Sequence, residues 1–164
     1  MTDPSLPIQD KSLARLYAYW RGKRGARAMP AWREFDPMEL GFILGWLNVI
    51  EVHRDPLRFR FRVHGSMLVS YTGVEMTGRF LDEHPDPEHR EFLERMWSDA
   101  VESREPQHGL HERTLKEERQ RFESVLLPLS SDDITVDMLL VAARYTGIGS
   151  GRSGLHAVAT RPAS

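Results

Sequence analysis

The sequence predicts an α+β fold, in which a five-stranded antiparallel β-sheet is covered by helices on one face. The first observation is a β-hairpin pattern in residues 121–145, where two apolar runs flank a polar turn at residues 130–133. Because both runs are apolar on both faces, the hairpin should lie in the middle of the sheet. The second observation is the element order, which places helices between a first pair of strands and a final set of three.

The composition is that of a globular domain, with 164 residues of which 40% are hydrophobic and 28% are charged. The net charge of −2 argues against a nucleic-acid partner, because nucleic-acid binders usually carry a basic excess. The absence of cysteine excludes disulfides, thiolate nucleophiles and cysteine-based zinc sites. No apolar run reaches the roughly 18 residues that span a bilayer, and the N-terminus is polar, so we expect a cytoplasmic protein without a membrane span.

The N-terminal region is predicted to be flexible over residues 1–9 and to form a helix and a basic loop over residues 10–35. The helix carries an apolar stripe at helical spacing. The stripe consists of Leu13, Leu16, Tyr17 and Trp20. It either packs on the chain's own sheet or contacts a second copy, and a homodimer through this partner surface is an open expectation. The basic residues that follow fit a solvated loop better than a phosphate site.

The central region, residues 36–146, begins with a helix signal, because Asp36 can cap a helix that has Pro37 at its first position. Its apolar face would consist of Leu40, Ile43 and Leu44. Strands are predicted at residues 46–52 and 58–64, joined as a hairpin.

The second of these strands alternates apolar and basic side chains, which is typical of a half-buried strand. Phe59, Phe61 and Val63 are predicted to point to one face. The arginines on the other face are expected to be solvated or to form ion pairs with nearby acidic residues.

Two further helices are predicted before the last strands. Ser66 is expected to cap a short helix closed by Gly73. Asp86 and Pro87 then open an amphipathic helix of about 17 residues, the clearest in the chain. Residues 107–117 are polar and are predicted to form an edge strand.

The end of the chain contains two local signals. Pro128 lies inside the hairpin and predicts a bulge or a strand end, because proline cannot donate a hydrogen bond to the ladder. Residues 147–164 are rich in glycine and are predicted to form a flexible tail.

Several short motifs together resemble a family of small PAS proteins, PAS_5, common in alphaproteobacteria. They are LYAYW at residues 16–20, RG at 24–25, MP at 29–30, FDP at 35–37, RFRFRVHG at 58–65, TGR at 77–79, LLPLS at 126–130 and VDMLL at 136–140. The sequence departs from the family pattern at Asp133-Ile134, where a turn glycine is usual, and at Ser66, where threonine is frequent.

This resemblance implies a PAS fold with strand order 2-1-5-4-3 and the last hairpin at the centre. It also implies a module that senses small molecules, binds protein partners or dimerises. It implies no catalytic residues and no obligatory cofactor, so the cofactor stays unknown.

The expected ligand site is the space between the sheet and the long helix. The candidate lining residues are Phe61, Val63, Leu68, Tyr71, Met96, Trp97, Leu127, Met138 and Leu140. The alternative is that these residues are simply core.

The seven histidines do not have metal-site spacing. His84 and His89 are five residues apart, and His108 and His111 would face opposite sides of a strand. His84 or His89 could be placed beside the long helix, where some PAS domains bind haem, but surface histidines are the favoured interpretation.

We therefore predict a stand-alone, non-enzymatic PAS module that binds a small ligand, a protein partner, or both. Because the remaining residues fit no kinase, cyclase or DNA-binding segment, we expect the output to pass through a signalling partner. One alternative is a purely structural dimerisation or adaptor module. Another is a cavity enzyme that uses Asp137, an acidic residue within an apolar strand.

Overall fold

The computed structural model describes residues 5–148 and 158–160. Its strands form one antiparallel sheet of order β2-β1-β5-β4-β3-β6. The strands are β1 Leu47–His53, β2 Arg58–Val63, β3 Gln107–Leu115, β4 Glu118–Leu129, β5 Met138–Ile148 and β6 Val158–Thr160. The α-helices are α1 Lys11–Arg24, α2 Ser66–Thr72 and α3 Pro87–Ser103. The predicted five-stranded order is confirmed, and β6 is an addition beside β3.

The hairpin of β4 and β5 lies inside the sheet, as its two-sided apolar pattern predicts. Its connection runs over residues 130–137, longer than the predicted turn, and Ile134 is 66% exposed in it rather than part of β5. Asp132 organises this loop, because its Oδ1 accepts hydrogen bonds from the backbone N–H groups of Ile134 and Thr135. Pro128 is the penultimate residue of β4, close to the predicted strand end.

The apolar stripe of α1 packs against the chain's own sheet. Leu13, Leu16 and Trp20 are 0% exposed and Tyr17 is 7% exposed. The indole Nε1 of Trp20 donates a hydrogen bond of 2.9 Å to the carbonyl oxygen of Pro128. The intramolecular alternative is therefore the observed one. These residues cannot form the expected dimer surface while α1 lies on the sheet, because their side chains are buried in the chain's own core.

The segment between α1 and β1 is ordered by specific contacts. The backbone N–H groups of Ala28 and Met29 donate to Oδ1 of Asp133, which ties the basic loop to the β4–β5 connection. Residues 37–43 form turns instead of the predicted helix. Gly41 and Gly45 interrupt that segment, and glycine is a poor helix former. Of the predicted apolar face, Leu40 and Ile43 are buried and Leu44 is 40% exposed.

Two of the three arginines of β2, Arg58 and Arg60, form the expected ion pairs on its outer face. Arg58 donates to both carboxylate oxygens of Asp82, at 2.7 and 3.1 Å. Nη1 of Arg60 donates to Glu51 at 3.0 Å. Val63 does not follow Phe61 into the core and is 39% exposed. The pairing of β1 with β2 shifts register between Val49 and Ile50, and this irregularity breaks the simple alternation.

The helices before β3 begin where the sequence predicts, although one cap differs. Ser66 is the first residue of α2, and Gly65 occupies the cap position without a side-chain hydrogen bond. A Cβ atom at Gly65 would overlap the backbone of Gly45, so glycine is required there. Asp86 caps α3 through its Oδ1, which accepts from the N–H of His89 at 3.2 Å, and Gly73 ends α2 in the left-handed conformation.

The terminal segment contributes more to the sheet than predicted. β5 continues to Ile148, and Val158–Thr160 pair with residues 108–110 of β3. Part of the predicted tail is therefore strand, and it covers the edge of β3 at residues 108–110. The rest of residues 147–164, like residues 1–4 of the predicted flexible start, lies outside the described residues. Within residues 5–148 and 158–160, no helix is both long and apolar enough to cross a membrane.

Candidate functional site

A cavity of about 60 Å³ lies between the sheet, α2 and α3. Its apolar lining consists of Phe61, Leu68, Phe92, Leu93, Met96, Trp97, Phe122, Val141 and Ala143. Its polar lining consists of Asn48, His64, Thr72, His84, His89, Arg113, Ser124 and Tyr145. Since a purely structural core would be almost wholly apolar, the mixed lining sets this space apart.

The structure places four of the nine predicted cavity residues at the cavity. They are Phe61, Leu68, Met96 and Trp97. Tyr71 lies just behind the lining, because its ring stacks on that of Tyr145 with centroids 4.6 Å apart. Val63 is excluded by its exposure.

The prediction was wrong for Leu127, Met138 and Leu140. In β5 the cavity is lined by Val141, Ala143 and Tyr145, so alternation turns Met138 and Leu140 to the opposite face. Leu127 pairs with Leu140 and shares that face, where α1 packs. Since this hairpin is apolar on both faces, its sequence does not tell which face meets α3.

Arg113 on β3 brings a permanent positive charge to the cavity. The residue is only 7% exposed, and its Nη2 donates a hydrogen bond of 3.0 Å to Oδ2 of Asp86, the cap of α3. Its Nε is buried and has no acceptor within the described part of the chain. Tyr145 is nearby: burial raises the pKa of its hydroxyl, whereas the charge of Arg113 and a hydrogen bond with the Arg113 side chain act in the opposite direction.

Two lining histidines are fixed as neutral tautomers by the backbone. Nδ1 of His64 accepts a hydrogen bond of 3.1 Å from the N–H of Met76, and Nδ1 of His84 accepts one of the same length from Asp86. An Nδ1 that accepts carries no proton, so the ring proton of each lies on Nε2. Burial lowers the pKa of both rings below the usual value.

His89 also lines the cavity, and His111 lies behind the lining, with its ring against those of Phe92 and Phe122. Burial lowers the pKa of His111 to about 4, and its Nε2 lies 3.0 Å from Oγ of Ser124. The pKa of His89 is lowered well below the usual value by burial and by the charge of Arg113. The ring of His111 lies over Gly109, where any side chain would collide with it. These four histidines are therefore uncharged near neutral pH.

Trp97 forms the inner wall of the cavity. Its ring meets those of Phe59 and Phe61 edge to face, with centroids 5.5 and 5.4 Å apart. The side chain is 0% exposed, and its Nε1 has no hydrogen-bond acceptor among the described residues. A buried indole N–H without an acceptor is unusual, because burying a polar group without a hydrogen bond costs free energy.

Comparison with protein families identifies the fold that carries this cavity. A family model described as PAS domain, PAS_5, matches residues 8–142. The chain belongs to the PAS_5 family of PAS domains. Searches of the curated proteins and of the solved structures gave no match. Membership makes the chain a PAS domain of the sensory and signalling type.

Haem binding in this PAS domain is not supported by the space available. Both His84 and His89 line the cavity, with ring centroids 5.5 Å apart. The cavity of about 60 Å³ is far smaller than the roughly 300–1,000 Å³ of pockets for drug-sized ligands. Within the described residues, no group of three or more histidine, aspartate or glutamate side chains could hold a metal ion.

Asp137 does not lie in the PAS cavity. Its Oδ2 accepts hydrogen bonds from the backbone N–H and hydroxyl of Ser131, at 2.8 and 2.6 Å, and so braces the β4–β5 connection. The cavity-enzyme hypothesis required Asp137 inside the pocket, and this placement removes it as the candidate base.

Sequence reasoning missed most of the polar side of the PAS cavity. Arg113 and His111 lie in the segment interpreted only as a polar edge strand. The available signal was alternation, because residues at positions 109, 111 and 113 share one face of β3. The histidines from the ends of β2 and α3 meet them only in three dimensions.

Proposed function

We propose that this PAS domain is a sensor that binds a small ligand in the cavity beneath α3 and signals to a protein partner, without catalytic activity of its own. The observation that carries the proposal is the pair of buried N–H groups at the cavity, on Arg113 and Trp97, that have no acceptor within the described residues. Because such groups are normally satisfied in a folded core, their presence favours a ligand that supplies the acceptors.

The short helix α2 connects the cavity to the protein surface, where a partner could detect a change caused by ligand binding. Leu68 and Thr72 of α2 line the cavity, while Met67 on the same helix is 44% exposed. The neighbouring Leu44 is 40% exposed. A change in the cavity that moved α2 would therefore alter an apolar surface, and exposed apolar surface is what a protein partner recognises.

The sensor proposal is tested by ligand-induced stabilisation in the wild type and in an Ala143→Leu variant, whose larger side chain fills the cavity. A ligand that binds the folded state raises the melting temperature by mass action. We expect members of a panel of small acids, amides, amines and alcohols to raise it in the wild type and not in A143L. Native mass spectrometry checks the same proteins for a co-purified molecule.

A purely structural adaptor is the second candidate, and the small volume of the cavity favours it. It predicts that no compound shifts the melting temperature, that no molecule co-purifies, and that Met67→Glu nevertheless abolishes partner or dimer formation. That combination would overturn the sensor proposal.

A further inference from the structure

The cavity has an excess of hydrogen-bond donors. Nε of Arg113 and Nε1 of Trp97 are donors without acceptors within the described chain. His64 and His84 each carry the ring proton on Nε2, because their Nδ1 atoms accept from the backbone. Two acceptors in the lining are already engaged: Oδ1 of Asn48 receives the N–H of Gly65 at 3.2 Å, and the Tyr145 hydroxyl has a hydrogen bond with the Arg113 side chain. A ligand that complements this surface must offer acceptors.

The charge of the lining has one sign. Arg113 carries a positive charge, and the lining residues in the described chain include no aspartate or glutamate. The nearest counter-charge is Asp86, whose side chain is 40% exposed and holds the other end of the Arg113 guanidinium. An acceptor with negative charge is therefore favoured over a neutral one, because hydrogen bonds between charged groups are the stronger kind.

The size of the cavity limits the ligand further. A cavity of about 150 Å³ takes one benzene molecule. At about 60 Å³ this cavity has room for a much smaller molecule, roughly two to three non-hydrogen atoms on the same scale. Part of the wall is apolar, formed by Phe61, Leu68 and Met96, so a methyl group fits there better than a second charge.

We propose that the cavity binds a small monocarboxylate, formate at its present volume or acetate after a slight expansion, with Arg113 Nε and Trp97 Nε1 donating to the carboxylate oxygens. This inference rests on the proposed sensor function and specifies its ligand. The two side chains that carry it are 7% and 0% exposed, so the site is built into the fold rather than placed on its surface. A ligand this small can bind no more tightly than on the order of 10⁻⁵ M, because the gain per atom is limited.

The test is isothermal titration of the full chain with sodium acetate, sodium formate and acetamide at constant ionic strength. Acetamide has the size and shape of acetate without its charge. We expect acetate to bind at least about tenfold more tightly than acetamide, since charged hydrogen bonds contribute more than neutral ones.

Three variants locate the site. Arg113→Gln should weaken acetate binding at least about tenfold. Asp86→Asn keeps a good helix cap but removes the carboxylate that competes for Arg113, so it should tighten acetate binding, a gain that misfolding cannot produce. Arg144→Gln is the matched control, because Arg144 bonds to Asp10 on the opposite face of the sheet, and it should leave acetate binding unchanged.

The possible failures are distinguishable. Equal affinity for acetate and acetamide, or unchanged acetate binding in R113Q and D86N, would overturn the carboxylate assignment and leave the sensor proposal standing. If none of acetate, formate and acetamide binds, the carboxylate assignment is wrong. If in addition no compound stabilises the protein and no molecule co-purifies, the sensor proposal fails with it.

Discussion

The two faces of the central strands β4 and β5 differ in whether their buried polar groups have hydrogen-bond partners. On the face under α1, Trp20 donates to Pro128, and the buried carboxylate of Glu123 accepts from the backbone of Gln9 and Asp10. On the face under α3, buried N–H groups lack acceptors among the described residues and a cavity remains. The polar groups named on the first face have hydrogen-bond partners, whereas those named on the second have none within the described chain.

This difference indicates that the face under α1 stabilises the fold and that the face under α3 carries the ligand site. Each unsatisfied buried polar group lowers the free energy of unfolding by about 1–3 kcal/mol. The face under α3 therefore contributes less to stability than the face under α1. Local violations of packing rules in an otherwise consistent fold are expected at functional sites. The two faces should therefore respond differently to matched substitutions.

The largest effect is expected at Glu123, which anchors the start of α1. Its Oε1 also lies 2.7 Å from Nε2 of His108, and both residues are buried. Glu123→Gln replaces one accepting oxygen with a donor and should lower the free energy of unfolding in urea by about 3–5 kcal/mol. Glu118→Gln, at the exposed start of the same strand, should change it by less than about 0.5 kcal/mol. Similar stability of the two variants would show that the face under α1 does not depend on this anchor.

The pH dependence of stability should come from the face under α3. The pKa of folded His111 is lowered to about 4 from 6.5, so below pH 6.5 the unfolded chain binds a proton that the folded chain does not. Stability is therefore complete above that value and falls as the pH drops toward 4. From pH 7 to pH 5 this one ring should cost about 2 kcal/mol.

Urea unfolding at both pH values checks this expectation. His111→Gln should remove about 2 kcal/mol of the drop. Phe122→Leu, which alters a ring packed on His111 without removing a titrating group, should leave most of the drop in place. An unchanged drop in H111Q would contradict the assignment.

Adjacent alanines on β5 provide a matched test of packing. Ala142 is 0% exposed on the face under α1, while Ala143 lines the cavity. Ala142→Leu overpacks a filled core and should destabilise the fold by about 1–3 kcal/mol. Ala143→Leu has space to occupy and should cost less than about 0.5 kcal/mol. The comparison between the faces would be wrong if both variants were equally destabilised in thermal or urea unfolding.

The smallest predicted effect distinguishes two fully buried tryptophans. Replacing tryptophan by phenylalanine removes ring volume at both sites. At Trp20 it also leaves the Pro128 carbonyl without its donor, whereas at Trp97 it deletes an N–H that has no acceptor within the described chain. Trp20→Phe should therefore cost about 1 kcal/mol more than Trp97→Phe in urea unfolding. A larger loss of stability in Trp97→Phe than in Trp20→Phe would indicate that the indole N–H of Trp97 has a hydrogen-bond acceptor in solution.

The sequence predicts α1, the central hairpin and α3, because these depend on local periodicity and caps, but the helix that it predicts after Asp36 is a series of turns. It does not predict which face of the hairpin carries the cavity, since Leu140 and Val141 are both apolar and point in opposite directions. It misleads at Val63, where a shift in strand pairing alters the alternation. The polar wall is not predictable from local pattern, because Arg113, His64 and His84 come from separate elements.

The indole region of a ¹H–¹⁵N correlation spectrum, recorded during an acetate titration, compares the two faces in one experiment. The chain has four tryptophans, and the Trp20→Phe and Trp97→Phe variants assign the two buried ones. We predict that acetate shifts the Nε1–H resonance of Trp97 in a saturable manner and leaves that of Trp20 in place. A Trp97 resonance that stays fixed while Trp20 moves, or while acetate demonstrably binds, would contradict the assignment of the ligand site to the face under α3.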